Sequence, residues 1–517
     1  MKLKSSLLLP LALMSAAPLA AKQKPNIIFI LADDLGYGDL ECYNPDCKIP
    51  TQHLNQMAEN GVKFTDAHTS SGVSTPTRYG IITGRYNWRS TLKSGVLSGT
   101  SEALIDNDRT TVADVLKHSG YSTAAIGKWH LGWNWAITEQ DPNGLSQDNL
   151  SSQPMIDFSK EVTNSPNDLG FDYYYAFCGS LDMPPYVWVE NNRPTDIPTN
   201  ITVNKGLGFW RKGLTADDFN HYDILQDVAD KAMWFIENET TEENPFFVYM
   251  PLPAPHTPIL PSDEFKGKSQ TTDYGDYVMQ VDDVVGQIRS KLEELGISDD
   301  TILIFTSDNG CSTAARIPDL LEFGHSPNGV LRGNKADLYE GGHRVPYIVE
   351  WGNGAKAGSV AEEIICTTDL FATAAEITGY KIQDNEGEDS FSFLPSLKGR
   401  KDKLDREYTI HHSISGAFAI RSGEWKLLFS KGSAGWSYPT DAQIIKEGLD
   451  LPSRQLYNLN EDISETTNVI DSYPKLAAEL TAALQKIITD GRSTKGATQQ
   501  NDGADEWPQL DAIFGEE

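Results

Sequence analysis

Cysteine is scarce in this chain, basic residues are outnumbered, and long apolar runs are missing. Five cysteines among 517 residues leave at least one unpaired, which excludes a disulfide framework as the source of stability. Only Cys42 and Cys47 stand close enough in sequence to suggest a bridge in an oxidising compartment. The 43 Lys and Arg against 73 Asp and Glu give a formal net charge of −30. That balance excludes nucleic acid and anionic membranes as partners, because both are bound by neutralising phosphates. An anionic small substrate needs positive charge gathered locally, so each basic residue inside a motif is more informative than usual.

A membrane span takes about 20 apolar residues, and the run from Leu7 to Leu13 is short and contains Pro10, with Pro18 soon after. Lys2 and Lys4 precede this run, and the small Ala20 and Ala21 follow it. Residues 1–21 therefore read as a secretory signal, with no cysteine nearby to accept a lipid. The expectation is an exported, soluble product, periplasmic or secreted, that begins near Lys22.

The length predicts roughly two to three domains. Four segments, "PNIIFILADD", "STAAIGKWH", "PFFVYMPLPAPH" and "TILIFTSDNG", are apolar strands tipped with polar groups. Helical patterns such as "TVADVLKHSG" and "YGDYVMQVDDVVGQIRSKLEELG" lie between them. Alternation of this kind predicts an α/β fold, a doubly wound and mostly parallel sheet flanked by helices, with its site outside the carboxyl ends of the strands. From about Lys381 the texture changes to a hairpin in "AFAIRSGEWKLLFS" and a helix in "PKLAAELTAALQKIITDG". That change predicts a smaller C-terminal α+β domain over 381–517, after a larger domain over 22–380. The tail after Thr494 is polar and reads as loose, and "QDPNGLSQDNLSSQ" (Gln140 to Gln153) reads as a surface insertion.

"SSGVSTPTRYGIITGR" (Ser70 to Arg85) poses the chemical question. An isolated S-x-P at this place is an ordinary helix cap. A residue at a helix N-terminus also sees backbone N–H groups and the dipole, which favour anions, and Arg78 falls on the same face one turn later. Asp33, Asp34, Asp308 and Asn309 end two of the strands and offer only oxygen ligands. Such a set suits a hard cation, Ca²⁺ rather than Zn²⁺, with Mg²⁺ also compatible. Lys128 and His130 share a face if "GKWHLG" is extended, which offers two basic groups to one anion. Each charge-assisted contact is worth roughly 1.5–3 kcal/mol.

The sequence S-T-P-T-R followed by Thr83-Gly84-Arg85 resembles the signature of type I sulfatases, the formylglycine-dependent branch of the alkaline phosphatase superfamily. The likeness runs from Pro25 to about Tyr380 and more loosely beyond. In that family the residue at the position of Ser74 is oxidised to an aldehyde. The serine version is served by radical-SAM maturases of anaerobic bacteria, which the resemblance therefore implies as a partner. The aldehyde avoids a trap: a sulfated serine would be a slow-hydrolysing monoester, whereas the hydrated aldehyde attacks sulfur with one hydroxyl and uses the other to expel sulfate.

Carried over residue by residue, the resemblance implies that Asp33, Asp34, Asp308, Asn309 and residue 74 hold the metal. Arg78 holds the reacting hydroxyl, and Lys128, His256 and Lys335 bind sulfate. His130 orients or deprotonates the spare hydroxyl, and His256 protonates the leaving oxygen. It assigns nothing to Asp39.

Specificity is expected from loops. Asp182, His325 and Arg332 are candidates for hydrogen bonds to sugar hydroxyls, and Trp133, Tyr186 and Trp188 for stacking on a ring. The resemblance to exported bacterial enzymes of the serine type points to a sulfated carbohydrate of host or algal glycans, galactose or N-acetylgalactosamine sulfated at O6. Two other readings stay open: a phosphate or phosphonate ester hydrolase of the same superfamily, and a glycan-binding protein that keeps the pocket without maturation. The dizinc phosphatases need several histidine ligands, and none flanks Asp33 or Asp308.

Overall fold

Asn26–Asp33 (β1) can be a continuous apolar run because sheet neighbours and helices cover it on every side. Ile27 to Leu31 are at most 1% exposed, and each such side chain contributes roughly 1.5–3 kcal/mol on burial. The computed structural model describes residues 24–139, 153–240, 244–400 and 406–515. The secretory signal over 1–21 and all of the expected insertion but Gln153 lie outside the described residues.

The remaining strands of the main sheet are Val62–Phe64 (β2), Ser122–Lys128 (β3), Tyr173–Phe177 (β4), Val189–Glu190 (β5), Arg193–Pro194 (β6), Phe246–Pro255 (β7), Thr301–Ser307 (β8), Tyr347–Glu350 (β9) and Ser359–Ala361 (β10). They stand in the order β10-β2-β9-β8-β1-β7-β3-β4-β5-β6. The central five, β8 to β4, are parallel, while β9 and β5 run antiparallel to their inner neighbours. The sheet is therefore parallel where it carries the motifs and mixed towards its edges.

Register decides which polar tips meet. Asp33 lies opposite Pro255, and Ala32 lies opposite Ser307. Asp33, Asp34, His256, Asp308 and Asn309 therefore leave the sheet at one level. The flanking helices pack in two groups. One contains Ser74–Thr83 (α1), Val112–His118 (α2) and Leu370–Thr378 (α5); the other contains Ile224–Glu239 (α3) and Asp273–Glu294 (α4).

A second, antiparallel sheet is formed by Thr409–His412 (β11), Phe418–Ser422 (β12), Trp425–Leu428 (β13) and Gln455–Asn458 (β14). Pro474–Asp490 (α6) covers it with Leu480, Leu484 and Ile487, one helical face. Tyr86 and Trp88, just beyond α1, are fully buried in this second core, so the segment that carries Ser74 is gripped from both sides.

The tail is not loose. The Arg85 guanidinium donates to Asp502 Oδ2 at 2.6 Å and to the Gln500 carbonyl at 2.7 Å. Trp507 and Ile513 are buried, because the polar tail residues answer buried arginines and the few apolar ones fill the second core. Cys42 and Cys47 are both free thiols, and burial pushes each up to about 12. Among the described residues no helix is long and apolar enough to cross a membrane.

Candidate active site

Ser74 opens α1, but its hydroxyl does not cap the helix. The N-cap is Val73, and no side chain caps there. Instead Ser74 Oγ accepts from Arg78 Nε at 2.7 Å and lies 3.2 Å from His130 Nδ1. The i, i+4 spacing read from the sequence delivers the guanidinium to it. Arg78 then donates through Nη1 to the Lys128 carbonyl at 3.0 Å and through Nη2 to Asp308 Oδ2 at 2.8 Å. Asp33 and Asp308 beside it hold the guanidinium firmly protonated.

His130 reaches the site by a different route from the one its spacing suggests. Strand β3 ends at Lys128, and His130 has a left-handed backbone with φ 54°, so simple alternation along an extended segment does not apply. Its Nε2–H donates to the Leu97 carbonyl at 2.8 Å, which leaves Nδ1 as the acceptor facing Ser74. Burial, with Lys128 and Arg78 nearby, holds its pKa well below the usual histidine value.

The acidic tips form the floor. Lys128 Nζ sits 2.5 Å from Asp33 Oδ2, and Lys335 Nζ sits 2.6 Å from Asp34 Oδ1. The Asn309 side-chain amide donates to Asp34 Oδ1 at 2.7 Å. Asp34, with φ 65°, is a strained non-glycine position, and strain of this kind collects at functional sites. Burial raises the Asp34 carboxyl, opposed chiefly by the charge of Lys335. Burial lowers Lys128, opposed chiefly by Asp33. Lys335 is raised, because the charges of Asp34, Asp33 and Asp308 outweigh its burial.

Two buried oxygens, Asp33 Oδ1 and Asn309 Oδ1, have no hydrogen-bond partner among the described residues, and a buried polar atom without one is costly. A hard divalent cation fits this donor set, since it would satisfy both oxygens alongside Asp34 and Asp308. His256 Nε2 completes the wall, 3.7 Å from Asp34 Oδ2. Its Nδ1 lies against the Thr257 carbonyl and 3.4 Å from Ser180 Oγ.

Asp39, unassigned from the sequence, supports the floor. Its carboxylate accepts from the Gly36 N–H at 2.7 Å and the Tyr274 hydroxyl at 2.5 Å, and the same hydroxyl reaches the Asp34 carbonyl at 3.1 Å. Gly310 must be glycine, because a Cβ there would stand 1.8 Å from the Gly341 carbonyl oxygen.

The expected sugar contacts divide. Asp182 is buried, and its carboxylate, held below the usual range by His256 and Arg211 against the effect of burial, pairs with Arg211. Its Oδ1 has no partner among the described residues. His325 is fully buried with Nε2 2.8 Å from Asp39 Oδ1 and Nδ1 accepting the Lys48 N–H; it braces the floor and presents nothing to a sugar. Arg332 donates to the Glu465 carbonyl at 2.6 Å and lies over the Tyr339 ring, so its guanidinium is already committed. Trp133, Tyr186 and Trp188 are at most 1% exposed and pack on Trp135, Phe219 and Tyr175, which makes them core residues and not stacking platforms. Sequence reasoning missed Arg211, which stands beside Lys212 in the hairpin of Asn200–Asn204 and Trp210–Thr215, with no local signal to set it apart.

An α/β sheet with carboxylates, cations and a helix-borne serine gathered at its strand ends is the arrangement of a hydrolase that acts on anionic esters. The family description "Sulfatase" matches residues 25–380, and the chain belongs to that family. It is 34% identical over 505 residues to an N-acetylgalactosamine-6-O-sulfatase of Bacteroides thetaiotaomicron, covering 90% of this chain and 94% of that protein. It is 30% identical to human arylsulfatase A, covering 96% of this chain and 94% of that one. A solved structure of a 6S sulfatase, described in work on glycosaminoglycan metabolism by Bacteroides thetaiotaomicron, superposes with a TM-score of 0.76. That structure is 33% identical, over 90% of this chain and 99% of the other. The protein is thus a sulfuric ester hydrolase whose relatives include carbohydrate sulfatases.

Proposed function

We propose that this sulfatase is exported and releases sulfate from O6 of galactose or N-acetylgalactosamine at the end of a glycan. In this reading Ser74 is converted to formylglycine by an anaerobic radical-SAM maturase, and one Ca²⁺ is held by Asp33, Asp34, Asp308, Asn309 and residue 74. We divide the mature chain into a catalytic domain over 22–380 and a C-terminal domain over 381–517. The observation that carries the reading is the Ser74 hydroxyl, turned away from capping and held between Arg78 and His130. The similarity to an N-acetylgalactosamine-6-O-sulfatase supports the sugar and the position.

The modified residue would supply two geminal hydroxyls, one to attack sulfur and the other to expel sulfate as the carbonyl is restored, and a bound cation would supply positive charge for the sulfate oxygens. The chain's own residues do the remainder. Arg78 fixes the side chain of residue 74 through Nε. His130 Nδ1, unprotonated because Nε2–H is engaged by Leu97, takes the proton of the spare hydroxyl. Lys128 and Lys335 hold sulfate oxygens, and His256 delivers a proton through Nε2 to the departing sugar oxygen. Burial, with Lys335 and Lys128 nearby, holds the His256 imidazole well below the usual histidine value, and a bound anion opposes those charges and favours its protonated form. Asp182, with one oxygen unpartnered and the other locked by Arg211, accepts a sugar hydroxyl.

The test is enzyme produced beside a maturase, incubated with a panel of sulfated monosaccharides while free sulfate is followed. Release from the 6-sulfates, a Ser74 peptide lighter by two hydrogens, and loss of release on chelation are expected. Undiminished release by Ser74→Ala would falsify the mechanism.

A further inference from the structure

Eleven tryptophans are present, and Trp234 and Trp436 are the most exposed of them, at 49% and 44%. Trp234 has company in the Tyr173 ring and the Lys231 ammonium. Among the described residues the indole of Trp436 has no ring or cation partner. An indole left in water on a mobile loop would signify little, yet the backbone beneath this one is fixed.

Asp337 Oδ1 accepts the backbone N–H of Trp436 at 2.7 Å and that of Ser437 at 3.1 Å. Asn334 Nδ2 donates to Ser437 Oγ at 3.0 Å, and the Leu338 N–H donates to the Ser433 carbonyl at 2.9 Å. Gly435 permits the approach: a Cβ there would meet Asp337 Oδ1 at 2.4 Å and the Ala336 carbonyl at 2.5 Å. The segment so gripped, 334–338, is the one that carries Lys335 to Asp34. On its other side the Ala336 N–H donates to the Gly72 carbonyl at 2.7 Å, two residues before Ser74. Three backbone segments are therefore stacked from Ser74 outwards, and Trp436 tops the outermost.

We infer that Trp436, contributed by the C-terminal domain, is a sugar-stacking platform at the rim of the site and binds the apolar face of a pyranose ring of the substrate. Asp337, whose carboxylate holds the backbone of Trp436, and Lys335, whose ammonium meets Asp34, are two residues apart, at most about 7 Å between Cα atoms. An aromatic ring suits this role because it is rigid, with few torsions to freeze, and offers a broad apolar face. The inference rests on the carbohydrate reading above and adds a residue to it.

The experiment measures equilibrium binding by calorimetry with the unmatured Ser74 protein, so that it does not depend on turnover. The probes are galactose 6-sulfate and N-acetylgalactosamine 6-sulfate and the disaccharides that end in them. Trp436→Ala should raise Kd roughly five- to tenfold, within the range of an aromatic contact, and Trp436→Phe should recover most of the loss. Thermal midpoints should match the wild type, since the exposed indole gives up no ring or cation partner. With matured enzyme the same change should appear in KM with kcat within about twofold, as for a residue that binds ground and transition states alike.

Equal Kd for wild type and Trp436→Ala, or no binding of any probe by the wild type, overturns the inference. A wild type that releases sulfate while Trp436→Ala is unchanged overturns it and leaves the proposed activity standing. Binding lost in Trp436→Ala without sulfate release by any matured protein has the opposite consequence.

Discussion

The three nitrogens of the Arg78 guanidinium serve three different acceptors. Nε donates to Ser74, Nη1 to the Lys128 carbonyl, and Nη2 to Asp308. A lysine ammonium cannot reach in three fixed directions. Without two of these hydrogen bonds, at about 1.5–3 kcal/mol each, kcat/KM for Arg78→Lys falls on the order of a hundredfold or more. Sulfate-release kinetics read this, and a near-wild-type circular dichroism spectrum must accompany the fall. At this scale the sequence was informative wherever one motif held both partners, as with Ser74 and Arg78. It was silent where partners are far apart. Asp39 and Tyr274 are separated by 235 positions and Arg85 and Asp502 by 417, and no local pattern joins them.

Strand ends and the turns that follow them place the chemistry. The apolar strands and long helices were legible because burial on both faces, or on one helical stripe, imposes a period on composition. The left-handed turn at His130 was not, because it depends on the neighbouring Cys178 and Leu97 carbonyls that receive the two N–H groups of the residue. The turn after β8 offers a sharp test. Gly310→Ala places a methyl 1.8 Å from the Gly341 carbonyl oxygen, and overpacking of this order costs roughly 1–3 kcal/mol. The urea midpoint should fall accordingly, and activity should fall further, because Asn309 precedes the displaced residue. A variant as stable and as active as the wild type would remove the constraint argued for this turn.

For the whole molecule, acidity and the chain's end matter most. His412 is buried, accepts from the Asn87 amide at 3.0 Å, and is lowered by burial to about 3. The unfolded chain takes up its proton near 6.5, so between 6.5 and 3 the unfolded state binds more protons. The contribution of this residue is therefore whole above 6.5 and is lost as pH falls through that window, by about 1.4 kcal/mol per pH unit. His412→Gln should be less stable than wild type at pH 7.5, with a deficit that shrinks at pH 5. An unchanged deficit in urea titrations at the two values would contradict this. Removing residues 495–517 should lower the thermal midpoint by several degrees. The cut strips Asp502 from Arg85 and Asn501 from Arg89, and takes Trp507 and Ile513 from the second core. Composition hid this role, since a polar tail that answers buried arginines reads like one that answers water.

The pairing of Arg85 with Asp502 also sets an order in time. A ribosome adding about 5–20 residues per second makes Asp502 some 20–80 seconds after Arg85, so the segment that follows the Ser74 helix lacks this counter-charge until then. Ser74 ends 2% exposed. The maturation proposed above would therefore act most readily before Asp502 pairs with Arg85 and fixes the segment that follows the helix.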